Sequence, residues 1–313
     1  MPVTVGQKAV IEAVRSPGVE YLDYELKPEM SRVTNLELEY APGEVPEFES
    51  ISLHPLHYRK VNTCGPVIYK SDLDVLGDLT GKSFITDSTS STDVESKYMV
   101  TIPKMWFEQT PDGPQMLLNG AVIRVKTGKN PKLHVSYDTV QRYCTHSPKD
   151  LPMPMYKQWA HPIYVSQTTT LDSFPIDVTY MMQTPRLRFI IMHMDDYSDG
   201  IASIVVDAIA LLRYPASMLK RVPEKYGIKM PKDASGRERT YYFLPFCSPR
   251  DFSLENPPHD GSQMFPAGRV DVANLHIHFS DMARDLKQKL IVHEYCLNQL
   301  VVNDKLIGTT FGW

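Results

Sequence analysis

His276 and His278 stand two residues apart in ANLHIHF. On an extended strand that spacing puts both imidazoles on one face, where they could ligate a metal, with His293 supplied by a neighbouring strand. The competing reading is a pair of strand-surface or interface imidazoles. A closed site needs a further ligand that the spacing does not supply, so neither a metal nor another cofactor is expected. Asp195 and Asp196 are adjacent carboxylates, but DDYSDG is turn composition. Glycosidase carboxylates would also need a cleft and a set separation. The run STSSTD at 88–93 reads as a solvated loop rather than a nucleophile site. No GxSxG, HExxH, P-loop or GxGxxG is present, so the chain is not expected to be an enzyme. The four cysteines, Cys64, Cys144, Cys247 and Cys296, are widely spaced with no CxxC pair and read as buried free thiols in a reducing compartment.

The elements that must position these residues are strands. In the last part of the chain Val270, Val272, Leu275, Ile277 and Phe279 alternate with polar neighbours, with one slip at Ala273-Asn274. A charged loop follows, then a long apolar strand over 290–302, turn residues Asn303-Asp304 and a short strand over 306–311. Earlier, short strands are expected at 22–26, 32–40, around Pro55 and at 99–107, the last an edge strand because it carries Pro103. Residues 72–96 are rich in Ser, Thr, Asp and Gly and read as a surface loop. Residues 116–126 and 132–140 flank the five-residue loop Thr127-Gly128-Lys129-Asn130-Pro131, the pattern of a hairpin, with Leu133, Val135 and Tyr137 on one face. Residues 161–171, 174–182, 186–194, 201–214 and 240–247 read as further strands, with DDYSDG a turn and 215–232 helical only in part because of Pro223 and Pro231.

At 313 residues and 42% hydrophobic content, the chain can fill one large β domain or two of ordinary size. Three prolines within SPKDLPMPM at 147–155 cannot join a ladder, and we place a boundary there, giving domains at 1–150 and 151–313. The net charge of −4 argues against a nucleic-acid-binding surface. MPVTVGQKAV lacks a signal-peptide core and no apolar run is long enough to span a bilayer, so a soluble protein made in the cytosol is expected. Many strands punctuated by turns, with little helix, predict antiparallel sandwiches or barrels. No internal sequence repeat is visible.

Three pieces of the second half, in order, resemble the double jelly-roll major capsid proteins of the large nucleocytoplasmic DNA viruses and their adenovirus-hexon-like relatives. The first is FPIDVTYMMQTPRLRFIIMHM at 174–194, similar to the strand pair ending in a hydrophobic, charged and aromatic run. The second is TYYFLPFCSPRDFSLENPPHDGSQMFPAGRVDVANLHIHF at 240–279, similar to an aromatic strand that runs into a turn and then an alternating strand. Phe265, Gly268, Arg269, Val270, Asp271 and Leu275 fall at matching places. The third is HEYCLNQLVV with GTTFGW, similar to the closing strand and tail. Ala267-Gly268 stands where the family has Asn-x-Ser, and Asn298-Gln299-Leu300 where it has Asn-Tyr-Asn. The resemblance lies mainly over 155–313.

The resemblance implies an all-β chain of two antiparallel jelly-roll sandwiches, a double jelly roll with long loops and little helix. It implies a structural capsid protein, a homotrimer forming pseudo-hexagonal capsomers of an icosahedral shell, located in the virion after synthesis in host cytoplasm. Its partners would be further copies, neighbouring capsomers, minor capsid or vertex proteins, and an internal membrane where the particle has one, with no direct nucleic-acid binding. Arg269 and Asp271, at i and i+2 entering a strand, would hold the preceding turn by ion pairing. Alternative readings are a minor, vertex or scaffold protein of the same lineage, a carbohydrate- or receptor-binding jelly-roll module, and a β-sandwich hydrolase or cupin-like metalloenzyme acting through His276 and His278.

Overall fold

A computed structural model describes residues 3–14, 19–27, 30, 32–55, 67–87, 97–103, 121–140, 159–173, 175, 177–182, 187–207, 211–249, 252, 254, 274–302 and 307–309. The chain divides into two compact units, one of Met1–Asp74, Ser83–Ile163 and Asn298–Trp313, the other of Val75–Lys82 and Tyr164–Leu297. The boundary expected at 147–155 lies outside the described residues.

The first half contributes β1 (Val3–Ile11), β2 (Tyr21–Glu25), β3 (Arg32–Glu39), β4 (Ser50–Pro55), β5 (Val67–Tyr69), α1 (Lys70–Thr80), β6 (Ile85–Asp87), β7 (Tyr98–Thr101), β8 (Ala121–Lys126) and β9 (Lys132–Val140). They form two antiparallel sheets, ordered β1-β9-β3-β7-β6 and β2-β8-β4-β5. The alternation seen in the sequence sets which faces are buried: Leu36 and Leu38 on β3, Ile51 and Leu53 on β4, and Leu133, Val135 and Tyr137 on β9 are all buried. At the bulge in β1, Gly6 takes φ 74°, a conformation that a side chain would disfavour, and its N–H donates to the Asp138 carboxylate at 2.9 Å.

Three expectations for this half are corrected. The segments around Thr127–Pro131 do not pair as a hairpin. β8 pairs with β2 and β4, whereas β9 pairs with β1 and β3, so the loop carries the chain from one sheet to the other. Its geometry is fixed from both ends: Thr127 Oγ1 donates to Glu47 O at 2.5 Å and accepts from Lys129 N at 3.0 Å, and Tyr24 OH donates to Pro131 O at 2.5 Å. The loop expected over 72–96 opens with the helix α1. Leu73, Leu76 and Leu79 recur at helical spacing and are buried with Val75, and the buried Asp72 accepts from Tyr69 N at 3.0 Å, the returning half of a capping box. β7 is not an edge strand, because β6 pairs outside it, and Pro103 lies beyond its end. STSSTD lies outside the described residues.

The second half contributes β10 (Trp159–Asp172), β11 (Asp177–Met181), β12 (Leu187–Met194), β13 (Ile201–Asp207), β14 (Leu211–Pro215), α2 (Ala216–Lys225), β15 (Tyr242–Pro245), β16 (Asn274–Phe279), α3 (Asp281–Asp285), β17 (Lys289–Val302) and β18 (Ile307–Thr309). Its sheets run β10-β17-β12-β15, with β18 on β17, and β11-β16-β13-β14. The apolar run at 201–214 is a hairpin of two strands, and the charged loop after Phe279 contains α3, capped by Ser280 whose side chain accepts from Ala283 N. Leu187, Ile190, Met192, Ile204, Leu275, Ile277 and Val292 meet in one core. Every residue of β12 is buried, so this strand is covered on both faces.

Counting β1–β5 and β7–β9 as first to eighth, the two sheets of the first half run first-eighth-third-sixth and second-seventh-fourth-fifth. Counting β10–β17 in the same way returns the same two orders. The repeat absent from the residues is present in the strand order. Among the described residues no helix is long and apolar enough to cross a membrane.

Candidate functional site

The candidate metal histidines do not converge. Leu275, Ile277 and Phe279 point into the core, so His276 and His278 occupy the other face of β16, about one third exposed. Each is paired across the sheet with an aspartate on a different neighbouring strand. His278 Nδ1 meets Asp177 on β11, and His276 Nε2 lies 3.7 Å from Asp207 on β13, with Thr179 Oγ1 3.2 Å from its Nδ1. His293 is on β17, in the other sheet, and fully buried. Among the described residues no group of three or more His, Cys, Asp or Glu side chains is placed to hold a metal. Arg269 and Asp271 lie outside the described residues, as do Phe265, Gly268 and Val270. Cys296 is buried as expected, whereas Cys247 is only half-buried.

A different constellation is assembled beside β12. His193 continues the row Phe189, Ile191, His193, opposite Phe243 and Tyr241. His193 Nδ1 lies 2.8 Å from Met194 O, and a carbonyl can only accept, so Nδ1 carries the proton. His193 Nε2 is then the acceptor for His293 Nε2–H at 3.3 Å, and His293 Nδ1 lies 3.1 Å from Thr168 Oγ1. Burial pushes His193 down to about 4, the Met194 carbonyl opposing and His293 adding to the fall.

Tyr197 lies over His193, rings 4.5 Å apart and nearly parallel, and Arg239 sits 4.7 Å above the Tyr197 ring. Tyr197 holds φ 57°, uncommon for a residue with a side chain, within the turn expected at DDYSDG. Asp195 and Asp196 are not a catalytic pair: Asp196 accepts from Ser198 N at 2.9 Å and from Gln288 Nε2 at 2.6 Å, which fixes that turn. Asp78 Oδ2 accepts from Arg239 Nη1 and from Tyr241 OH, both at 2.6 Å. Burial, and then the bond to Asp78, raise the Tyr241 phenol far above its ordinary value. These groups hold one another in place. His193 was missed by the sequence reading; period-two alternation from Phe189 through Ile191 is the signal that would place it on that face. Asp78 was not legible, because its helix was read as loop.

Beside this constellation lies a groove of about 430 Å³ between α2 and residues 226–241, lined among others by Lys220, Glu224, Lys229, Met230, Glu238 and Arg239. α2 ends in a Schellman motif: Ile228 N donates to Pro223 O at 3.0 Å and Gly227 N to Glu224 O at 3.1 Å, with Gly227 at φ 73°.

No protein-family model matches the sequence, and no curated protein matches it. Solved structures do match in shape. A chain of the PBCV-1 virus capsid superposes with a TM-score of 0.62 at 11% identity, covering 99% of this chain and 98% of its own. The Faustovirus major capsid protein gives 0.53 at 9% identity over 97% and 92%. A chain of the Sputnik virophage structure gives 0.51 at 8% identity over 100% and 90%. The fold is a double jelly roll. Eight strands in the same order, twice, make each half of the double jelly roll a two-sheet sandwich, with α1 and α2 each following the fifth strand. The likeness spans both rolls, whereas the sequence resemblance rested mainly on the second.

Proposed function

We propose that this chain is a structural capsid protein that trimerises into pseudo-hexagonal capsomers of an icosahedral virus particle. The observation that supports the reading is the repeated eight-strand order along one chain, matched in shape from end to end by a chain of the PBCV-1 virus capsid. Each sandwich satisfies its backbone within its sheets and leaves loops at its ends for contacts. A cyclic trimer of such a chain closes through heterologous contacts and presents two sandwiches per copy, which gives a near-sixfold outline. On this reading the chain acts in the virion, with one roll from 1–150 and the other from 151–313. Its partners are other copies, neighbouring capsomers and minor or vertex proteins, and the role requires no catalysis.

Light scattering on the purified protein, with metal content read on the same sample, tests this. A metal-free trimer that electron microscopy shows as a pseudo-hexagonal particle is the expected result. A monomer carrying one transition metal per chain, lost in His276→Ala/His278→Ala, would overturn it in favour of a metalloenzyme.

A further inference from the structure

The geometry points to the groove between α2 and residues 226–241 as a binding site for an acidic carbohydrate, a sugar chain bearing carboxylate or sulfate groups. Residues 211–240 contain eight basic and three acidic residues, a net +5 within a chain of net −4, so the remaining residues carry −9 and the basic excess is local. Arg213, Arg221, Lys225, Lys229, Lys232 and Arg237 are exposed and make no ion pair among the described residues. They differ from Lys220 and Arg239, whose charges are already committed to Asp199 and Asp78 at 2.6 Å. Lys229 lines the groove itself, Lys225 follows the lining residue Glu224, and Lys232 and Arg237 flank the lining residue Glu238, one across a β-bridge and one along the chain.

Its volume falls within the range of small-molecule sites. Its walls are pre-formed. The Schellman motif fixes one side, and on the other Arg239 N donates to Pro231 O at 2.9 Å and Asp233 N to Arg237 O at 2.8 Å. Met230, half-buried over the buried Ile228 and Tyr241, gives an apolar floor against which the C–H face of a sugar ring can lie. The acids choose between polyanions. Glu224 and Glu238 are exposed in the lining, where they would repel a phosphodiester backbone. A sugar hydroxyl, in contrast, is a donor that needs such acceptors, while its acidic group takes the lysine and arginine.

This site does not depend on the capsid reading, because binding is measured on the soluble chain whatever its oligomeric state. The probes are a heparin octasaccharide (sulfated), a hyaluronate octasaccharide (carboxylated) and a single-stranded DNA of equal charge, by calorimetry across a salt series. The expected result is that one of the two glycans binds more tightly than DNA. Lys229→Glu/Arg237→Glu should then weaken binding by at least about tenfold, with Lys8→Glu/Lys27→Glu, a charge-matched change elsewhere, within about twofold. Which glycan binds separates sulfate from carboxylate as the recognised group. Glu224→Gln/Glu238→Gln gives a test of sign. It weakens glycan binding if the carboxylates accept sugar hydroxyls, and strengthens it if attraction is only between net charges. Strengthening, equal loss in the control pair, tighter binding of DNA, or no binding of either glycan would each overturn the proposal.

Discussion

In the first roll β5 runs into α1 at Lys70, and in the second β14 runs into α2 at Ala216. The strand orders before and after are the same, but the side chains that secure the junctions differ. α1 is capped by Asp72 reaching back to Tyr69 N. α2 starts at Pro215 with no side-chain cap and is secured at its far end by Gly227 and Ile228. The buried polar groups differ as well. The first roll has an Asp–Arg pair, the buried Asp23 with the half-buried Arg124, and the second has the stacked imidazoles of His193 and His293. What the two halves hold in common is period-two burial and strand order. The particular bonds are local solutions to the same requirement, that each buried donor find an acceptor.

The largest test of that comparison removes apolar volume from one roll. Phe189 is fully buried and packs on Phe243, Phe252 and Tyr295 at centroid distances of 5.7, 5.1 and 4.7 Å. Phe189→Ala should cost about 3–5 kcal/mol. Amide exchange is expected to accelerate in β12, β15 and β17 while β3 and β9 keep their protection. Equal acceleration in β3 would show that the rolls open as one cooperative unit.

Acid should act through both rolls. Burial lowers His193 and His54 from 6.5 to about 4, with His293 adding to the fall at the first and Arg124 at the second. A histidine whose folded value is depressed takes up its proton more readily when unfolded. Its contribution is therefore intact above pH 6.5 and lost as pH falls toward 4. For the buried His193 the loss is on the order of 3 kcal/mol. His193→Gln should flatten the decline in melting temperature between those limits for the second roll alone, and His54→Gln for the first. An unchanged acid slope in His193→Gln would remove the imidazole pair as its cause.

How much of this was legible depended on whether a signal was local. Alternation marked the strands on both sides of the core. RLRFIIMHM was legible as a strand, but alternation gave it one buried side, whereas both of its faces are covered. The hairpin expected at Thr127–Pro131 failed because loop length and glycine fix a turn but not which sheet receives the chain. α1 was hidden because Leu73, Leu76 and Leu79 are embedded among Ser, Thr, Asp and Gly, whose composition outweighed a short helical period. His293 was offered as a third ligand to His276 because sheet membership is a property of topology, which no spacing of two or three residues carries. The internal repeat is a repeat of strand order, so it left no trace in residue identity.

A smaller effect is expected at the turn after β12. A Cβ on Gly200 would lie 2.6 Å from Met194 Sδ, and Met194 is fully buried. Tyr242 OH accepts from Gly200 N at 3.0 Å and Ile201 N at 3.1 Å while donating to Asp199 at 2.5 Å, so the turn cannot easily move away. Gly200→Ala should cost about 1–3 kcal/mol by overpacking. Met194→Ala in the same chain should recover part of that loss, and a purely additive double variant would show that the two sites do not touch in solution.

The smallest effect belongs to the first roll's polar pair. Arg124 grips both oxygens of Asp23, Nε at 2.8 Å and Nη2 at 3.0 Å, and its guanidinium lies 4.0 Å over the Tyr21 ring. Lysine keeps the charge but not the planar fork or the stacking surface. Arg124→Lys is therefore expected to cost about 1 kcal/mol, read as a small drop in denaturation midpoint with an unchanged slope. Asp23→Asn should cost a similar amount, because one oxygen still accepts. If the two losses simply add in the double variant, the guanidinium contributes through Tyr21 rather than through Asp23. If the double variant loses no more than either single one, the ion pair itself is the contact that the first roll uses where the second stacks two imidazoles.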